Sequence, residues 1–357
     1  MRDFLYNLAT DKSKGFFAGI LKFFLFIISF IYGLLVSILI FLNRLFASRL
    51  EVKVISVGNI TLGGTGKTAL VESIAAHLKQ KGHKVAVLTR GYKRKFASCT
   101  SRAAGYESIG DEPYMLSKNL GDIPVIVDAD RLRAAKKALK DYHVDTVILD
   151  DGFQQWRIKK DLEIVAIDVV NPFGNQRLIP RGILREPLSS LSRADIFVLT
   201  KVNLNPNTER LIQILEKLNP KAIILKTSHQ PLGFYEINKP NELLSADILK
   251  GKSAALFCGI GDPDSFKNLI ETLGIKIGLF FNFADHHDYT EEDLGRIFKD
   301  AKDENLDAII TTEKDAARLT QRKLEDLGCR VFVLRIKIQI TKDEQGFFHR
   351  LLGLYPL

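Results

Sequence analysis

Residues 61–68 read TLGGTGKT and have the residue types of a phosphate-binding loop. Glycines let backbone N–H groups turn toward phosphate oxygens, and a lysine and a hydroxyl follow at the helix start. We therefore expect Lys67 to contact the β- and γ-phosphates of a nucleotide and Thr68 to ligate Mg²⁺. Thr61 stands where the motif usually has its first glycine, so Gly63 and Gly64 must supply that flexibility. The predicted nucleotide-binding residues are Thr61, Gly63, Gly64, Thr65, Gly66, Lys67 and Thr68.

A second group of polar residues directly follows an apolar run. Residues 147–149 are Val, Ile and Leu, and Asp150 and Asp151 come next. A carboxylate at the end of a buried strand holds Mg²⁺ or its water in proteins with a phosphate-binding loop. Paired acids at a strand end also begin ordinary turns. Because such a loop lies upstream, we favour metal binding.

Alternating strand-like and helical patterns are expected to position these residues. Strands are predicted at 51–57, 84–89, 123–127, 144–149, 162–167 and 195–200, and a helix at 129–142. Repeated βα units imply a doubly wound, mostly parallel sheet, in which ligands bind beyond the carboxyl ends of the strands. The predicted fold class is thus α/β and P-loop NTPase-like.

A second α/β pattern begins after a segment that contains Pro231 and Gly233. Its predicted strands are 254–258, 276–283 and 308–311. The predicted organisation is an N-terminal anchor helix at 1–47, a P-loop domain at 48–229, a linker at 230–237 and a smaller α/β domain at 238–357.

Two polar groups allow more than one interpretation from pattern alone. Asp111 and Glu112 precede a helical stretch, where they could cap the helix or take part in catalysis. Residues 285–288 read DHHD and could bind a metal, form a surface turn, or supply a histidine that exchanges a proton.

Residues 23–42 carry no charged side chain and are long enough to cross a bilayer. Twenty helical residues reach roughly 30 Å, the thickness of the hydrocarbon core. We expect a membrane helix that spans the bilayer or lies along its surface, although a buried core helix has the same composition. Because ATP is cytosolic, the remainder of the chain should lie on the cytosolic side.

The net charge and the cysteine spacing indicate which kinds of partner the protein could bind. The chain has 357 residues, a formal net charge of +9 and three widely spaced cysteines. That spacing argues against a disulfide framework or a structural zinc site. The basic charge, beside an apolar anchor, favours an anionic membrane surface, and no nucleic-acid motif is present. The sequence gives no sign of an obligate protein partner.

The motifs taken together resemble the tetraacyldisaccharide 4′-kinase family over nearly the whole chain. The shared segments, in order, are the N-terminal apolar helix, VGNITLGGTGKT, TRGY, GDEP, DDGFQ, RGILREP, ADHHxY and TTEKDA. The family's own loop also departs from the usual first glycine, so Thr61 agrees with the resemblance.

The resemblance implies transfer of the γ-phosphoryl group of ATP to the 4′-hydroxyl of a tetraacylated glucosamine disaccharide 1-phosphate. This Mg²⁺-dependent reaction of lipid A biosynthesis would occur at the cytoplasmic face of a bacterial inner membrane. Asp111 would act as the base, His286 would orient it, and Lys67 would assist phosphoryl transfer. The resemblance assigns Mg²⁺ to Thr68, Glu112, Asp150, Asp151 and Gln154, and substrate contacts to Tyr92 and Arg185.

Asp111 and His286 fall in different predicted domains, so we expect their pair to form only when the domains close. The alternative function is a membrane-tethered P-loop NTPase that switches or loads a protein partner. Its only specific support is the GTPase-like pair Thr200-Lys201, and Asn203 stands where a GTPase needs an acid. A transport ATPase subunit would need a signature such as LSGGQ, which the sequence lacks.

Overall fold

The computed structural model describes residues 8–91, 98–100, 109–319 and 330–355. Its contacts divide the chain into two compact units. The first unit comprises Met1–Arg90, Asp128–Ser228 and Ile340–Leu357, and the second comprises Gly91–Val127 and His229–Gln339. Each unit is therefore assembled from segments that are distant in sequence.

Strands and helices alternate along most of the described chain. The strands are β1 (Lys53–Gly58), β2 (Val85–Thr89), β3 (Ser98–Thr100), β4 (Val125–Asp128), β5 (Thr146–Asp150), β6 (Leu162–Asp168), β7 (Ile196–Thr200), β8 (Ile223–Glu236), β9 (Ser253–Cys258), β10 (Lys276–Asn282), β11 (Ala308–Thr312) and β12 (Val331–Ile340). The α-helices are α1 (Phe16–Leu45), α2 (Lys67–Gln80), α3 (Asp111–Leu120), α4 (Arg131–Tyr142), α5 (Glu209–Leu218), α6 (Pro263–Thr272), α7 (Glu291–Asp303), α8 (Glu313–Leu319) and α9 (Glu344–Leu352). Short 3-10 helices occupy Leu188–Arg193 and Ala246–Leu249.

The first unit is built on a parallel sheet in the order β8-β7-β6-β1-β5-β2. Its central strands are buried along nearly their whole length, as expected when helices cover both faces. Helix α2 packs against β1, β2 and β5. This packing fixes the residues that lie between β1 and α2 at the carboxyl edge of the sheet.

The second unit has a smaller parallel sheet in the order β10-β9-β11-β12. Alternate residues of β9 enter two different cores: Ala255 and Phe257 on one face, and Ala254 and Leu256 on the other. That alternation is the normal period of a strand. Helix α3 belongs to this unit and packs against α8.

Helix α1 buries only one narrow stripe. Leu25, Ser29, Gly33 and Val36 are buried, at the spacing of a single helix face. The other faces expose large apolar side chains, such as Phe17 at 84% and Phe30 at 70%. Among the described helices, this is the only one long and apolar enough to cross a membrane by length and composition.

The predicted fold class is confirmed: the protein is α/β with large, mostly parallel sheets and an N-terminal apolar helix. Two details differ from the sequence-based boundaries. Residues 230–236, expected to form a linker, continue strand β8. Residues 91–127, expected in the P-loop domain, have most of their contacts in the second unit.

Gly58 ends β1 at a point where the backbone of the DDGF segment passes very close. A Cβ atom on Gly58 would lie 2.4 Å from the backbone nitrogen of Phe153 and 2.6 Å from its Cβ. Neither atom belongs to a flexible side-chain end, so the backbone itself would have to move. This close approach holds residues 150–154 against the start of the phosphate-binding loop.

We expect Gly58→Ala to lower the free energy of unfolding by about 1–3 kcal/mol, the usual cost of overpacking a core. Gly295→Ala is the matched control: its Cβ would meet nothing within 4 Å, and alanine is favoured over glycine inside helix α7. Denaturant titration measures both. A Gly58→Ala protein as stable as the native one would contradict this account.

Candidate active site

The phosphate-binding loop leaves β1 and ends at the first turn of α2. Gly66 precedes the helix with φ 75°, and Gly63 has φ 112°. Lys67 and Thr68 are the first two residues of α2. Their backbone N–H groups therefore belong to the helix N-terminus, where the peptide dipoles favour an anion. The predicted strand, loop and helix are all present in this order.

Thr61 lies in a short stretch of backbone pairing at the start of the loop. It is buried and pairs with Leu184 in an isolated antiparallel bridge. The pairing continues on both sides, because Leu62 N donates to Ile183 O and Arg185 N donates to Ile60 O, each at 2.8 Å. The start of the loop is therefore held as a short β-ladder against residues 183–185.

A charged cluster lies beside the loop in the first unit. Lys67 Nζ is 3.5 Å from Asp151 Oδ1 and donates to Asn59 Oδ1 at 3.1 Å. One guanidinium nitrogen of Arg185 donates to both oxygens of Asp151, at 3.0 and 2.8 Å, and to Gln154 Oε1 at 3.1 Å. The structure thus brings together four of the residues predicted for this site.

Burial raises the pKa of Asp151, but the nearby charges of Lys67 and Arg185 outweigh it and hold that pKa below its ordinary value. Asp151 is therefore a stable anion that shares two cations. Both cations can exchange their contact with Asp151 for a contact with a polyanion when one is bound.

Asp150 ends β5 opposite Val57 of β1, and its side chain is buried. Thr89, at the end of β2, donates to Asp150 Oδ2 at 3.1 Å. The buried guanidinium of Arg131 donates to the backbone oxygen of Asp150 at 3.3 Å. Thr89, at the end of the neighbouring strand β2, therefore helps to hold this carboxylate at the carboxyl end of β5.

The oxygen donors of the first unit fit Mg²⁺. The ion prefers hard oxygen ligands and usually binds through one or two carboxylates, substrate phosphates and water. Thr68 and the carboxylates of Asp150 and Asp151 supply that chemistry, and Thr68 directly follows Lys67 in the first turn of α2. No group of three or more His, Cys, Asp or Glu side chains that could hold a metal ion occurs in the described part of the chain, and the DHHD segment therefore forms no such group.

The predicted pair of Asp111 and His286 is formed within the second unit. His286 Nδ1 lies 2.7 Å from Asp111 Oδ2. Asp111 is the first residue of α3 and is buried, whereas His286 has φ 60° in the turn after β10. The expectation that this pair forms only when two domains close is wrong, because both residues belong to one unit and are already in contact.

The contact shifts both pKa values in favour of an ion pair. Burial raises the pKa of Asp111, but the hydrogen bond and charge of His286, with Arg318 and Lys314, hold it well below its usual range. The hydrogen bond to Asp111 raises the pKa of His286, against the opposing effect of burial. Asp111 is thus held as an anion beside a protonatable imidazole.

Arg318 is a central residue that the sequence analysis did not identify. Its side chain is 2% exposed, and its Nε donates to Asp111 Oδ2 at 3.2 Å. Its other nitrogens donate to the backbone oxygens of Gly259 and His287. One guanidinium therefore joins the start of α3, the loop after β9 and the turn that carries His286.

Asp315 supports Arg318 from within α8. Its Oδ1 accepts from Arg318, from the hydroxyl of Tyr289 at 2.8 Å and from Gly259 N at 2.9 Å. Thr312 donates to Oδ2 at 2.6 Å. Four donors on one fully buried carboxylate indicate that it carries a negative charge. The signal in the sequence was the Asp315/Arg318 spacing of three on a helix after an apolar strand.

Glu112 and His287, which the sequence analysis also singled out, contact different partners. Glu112 accepts a 2.6 Å bond from Lys314 Nζ in the second unit, whereas the other proposed Mg²⁺ residues belong to the first. His287 Nε2 lies 2.9 Å from Asp293 Oδ2, which also completes the capping box of α7 with Thr290. Tyr92 lies outside the described residues.

We expect Arg318→Met to lower the free energy of unfolding by about 3–5 kcal/mol, because it leaves two buried carboxylates without their shared cation. Arg296→Met is the matched control: this arginine is 75% exposed and pairs with Asp300 on the surface of α7. Such a surface pair contributes about 0–1 kcal/mol. Equal stability losses in the two variants, measured by denaturant titration, would show that the buried network does not stabilise the unit.

Comparisons with known proteins identify the family of this chain. The family model described as tetraacyldisaccharide-1-P 4′-kinase (LpxK) matches residues 21–355. The tetraacyldisaccharide 4′-kinase of Halothermothrix orenii is 35% identical, over 95% of this chain and 94% of that protein. That of Syntrophobacter fumaroxidans is 39% identical, over 78% of this chain and 74% of that protein.

A solved structure shares the fold. The crystal structure of "apo" form LpxK from Aquifex aeolicus in complex with ATP matches with a TM-score of 0.76 and 29% sequence identity. The match covers 94% of this chain and all of that chain. Because the family model and these relatives both extend over most of its length, the chain belongs to the tetraacyldisaccharide 4′-kinase family and is a kinase of lipid A biosynthesis.

Proposed function

We propose that the two groups of residues described above divide the kinase reaction between its two substrates. The first unit binds ATP through residues 61–68, and the second prepares the acceptor hydroxyl through Asp111 and His286. The acceptor is the 4′-hydroxyl of an acylated glucosamine disaccharide 1-phosphate. The observation that carries the proposal is the 2.7 Å contact between His286 and Asp111, because a nucleotide switch needs no base for an alcohol.

In the first unit, the helix N-terminus and Lys67 neutralise the phosphate oxygens of ATP. Thr68, Asp150 and Asp151, with Gln154, would hold Mg²⁺, which neutralises charge on the β- and γ-phosphates when it is bound. Arg185 contacts Asp151 and Gln154, and its guanidinium is proposed to stabilise the negative charge that develops during transfer. Tyr92 is proposed as a substrate contact on the basis of the family motif.

In the second unit, Asp111 accepts the hydrogen bond of the attacking hydroxyl and takes its proton as the new P–O bond forms, while the bond from the γ-phosphorus to the β,γ-bridging oxygen breaks and ADP leaves. His286 and Arg318 hold the carboxylate in one orientation, since both contact Oδ2. Orientation of this kind is the main contribution of a protein to phosphoryl transfer. Glu112 is proposed to assist at Mg²⁺ or its waters, with Lys314 as the partner of its carboxylate.

Helix α1 is proposed to lie in the surface of the bacterial inner membrane, on the cytoplasmic face. Ser29 and Tyr32, near the middle of the helix, hydrogen bond with residues 178–185, and Asp11 pairs with Arg181 beside them. A helix that crossed the bilayer would carry this irregular, charged segment into the hydrocarbon core, where such backbone is not tolerated in contact with lipid. An in-plane helix instead inserts its exposed apolar faces among the lipids.

Labelled ATP tests the proposed reaction directly. We expect the purified protein to move γ-label into an acylated glucosamine disaccharide 1-phosphate in detergent, and EDTA to stop this transfer until excess Mg²⁺ is added. A matched disaccharide without the free 4′-hydroxyl should remain unlabelled. Release of the label only as inorganic phosphate would favour the alternative of a membrane-tethered NTPase switch.

Asp111 and His286 should act as one unit in that assay. We expect Asp111→Asn to lower kcat on the order of 10²–10⁴-fold, the usual contribution of a general base. His286→Ala in the Asp111→Asn protein should cause little further loss, because the pair is already broken. His287→Ala is the control, since the neighbouring imidazole contacts Asp293 instead. Losses that multiply in the double variant would contradict a coupled pair.

A further inference from the structure

We propose that Tyr32 of the apolar helix is a positioning residue for Arg185, so that α1 helps to organise the nucleotide site as well as to anchor the protein. The hydroxyl of Tyr32 donates to the backbone oxygen of Arg185 at 2.8 Å. This inference rests on the proposed role of Arg185 beside Asp151.

The hydroxyl groups of the apolar segment differ in what they bond to. Ser29 Oγ donates to Leu178 O at 2.8 Å and accepts from Arg181 N at 2.9 Å. Ser37 instead donates to Gly33 O of its own helix. Thus Ser29 and Tyr32, on the side of α1 that faces residues 178–185, bond to that segment, whereas Ser37 satisfies itself within the helix.

The backbone of Arg185 is held on both sides of its Cα atom. Its N–H donates to Ile60 O at the start of the phosphate-binding loop, and its carbonyl accepts from Tyr32. The bridge between Thr61 and Leu184 reinforces the first of these contacts. The segment 183–185 therefore lies between the loop and the apolar helix and bonds to both.

The fixed backbone determines what the Arg185 side chain can reach. Its guanidinium contacts Asp151 and Gln154, and Asp151 also lies near Lys67. A chain of contacts therefore connects the apolar helix to the phosphate-binding loop. Tyr32 bonds to Arg185, and Arg185 contacts Asp151, which lies beside Lys67. A shift of the carbonyl would move the guanidinium and alter how Lys67 shares its anionic partner.

An anchor alone would not require a hydroxyl at this position. The segment 23–42 is otherwise rich in Phe, Ile and Leu, and a tyrosine that served only the membrane interface would direct its hydroxyl to water or headgroups instead of a protein carbonyl. The hydroxyl contributes a directional bond to one carbonyl. Its effect should therefore appear in the chemical step and not in retention of the lipid substrate.

Tyr32→Phe tests this point because it keeps the ring and removes only the hydroxyl. With saturating ATP and lipid in detergent, we expect kcat to fall roughly 3–10-fold, the range given by loss of one hydrogen bond of about 1 kcal/mol. The KM values for ATP and lipid should stay within about twofold, since binding contacts are unchanged. Ser37→Ala is the matched helix control and should keep native kcat.

The Arg185→Ala background distinguishes positioning from a general effect on the fold. If Tyr32 acts through Arg185, Tyr32→Phe should cause no further loss of kcat in that background. A full 3–10-fold loss there, a native kcat in the single variant, or a change only in the lipid KM would each overturn the inference. Failure of the native protein to label lipid would instead contradict the proposed reaction itself, so the two failures are distinguishable.

Discussion

A carboxylate removed from water is stable only beside a cation or several hydrogen-bond donors, and the charged cluster of each unit is organised by that requirement. In the second unit, Arg318 satisfies two buried carboxylates, those of Asp111 and Asp315, and so joins α3 to α8. In the first unit, Asp151 shares Lys67 and Arg185. In each cluster, the oppositely charged partner fixes where the carboxylate or the lysine lies.

The two clusters differ in solvent exposure, and therefore in how easily their charge pairs can exchange partners. Arg318 has backbone oxygens and carboxylates on every side and is almost fully buried, so its contacts are structural. Asp151 is 39% exposed and holds two cations that a nucleotide could also attract. A rigid cluster suits the orientation of a base, whereas a cluster that can exchange partners suits the binding of a polyanionic substrate.

Much of the fold follows from local patterns, because strands at the sheet centre read as apolar runs and helices as periodic ones. What the sequence could not reveal depends on distant partners. Arg318 lies 207 residues from Asp111, and no local pattern joins them. Gly233, with Pro231, suggested a linker, yet a Cβ there would lie 2.2 Å from Leu244 O, so this glycine permits a close backbone approach within a strand. The assignment of residues 91–127 failed for the same reason, since α3 packs against α8.

The preformed Asp111–His286 pair bears on how Asp111 would act as the proposed base. A free aspartate is already a weak base for an alcohol, with a pKa of ~4, and the surrounding cations lower the pKa of Asp111 further. Such a carboxylate gains little by removing the proton early. It remains an ionised acceptor that fixes the direction of the hydroxyl lone pair, which matches a loose transition state with little bonding to the nucleophile. His286, with its pKa raised by the same contact, stabilises that anion. The pair is therefore better suited to aligning the hydroxyl than to ionising it before attack.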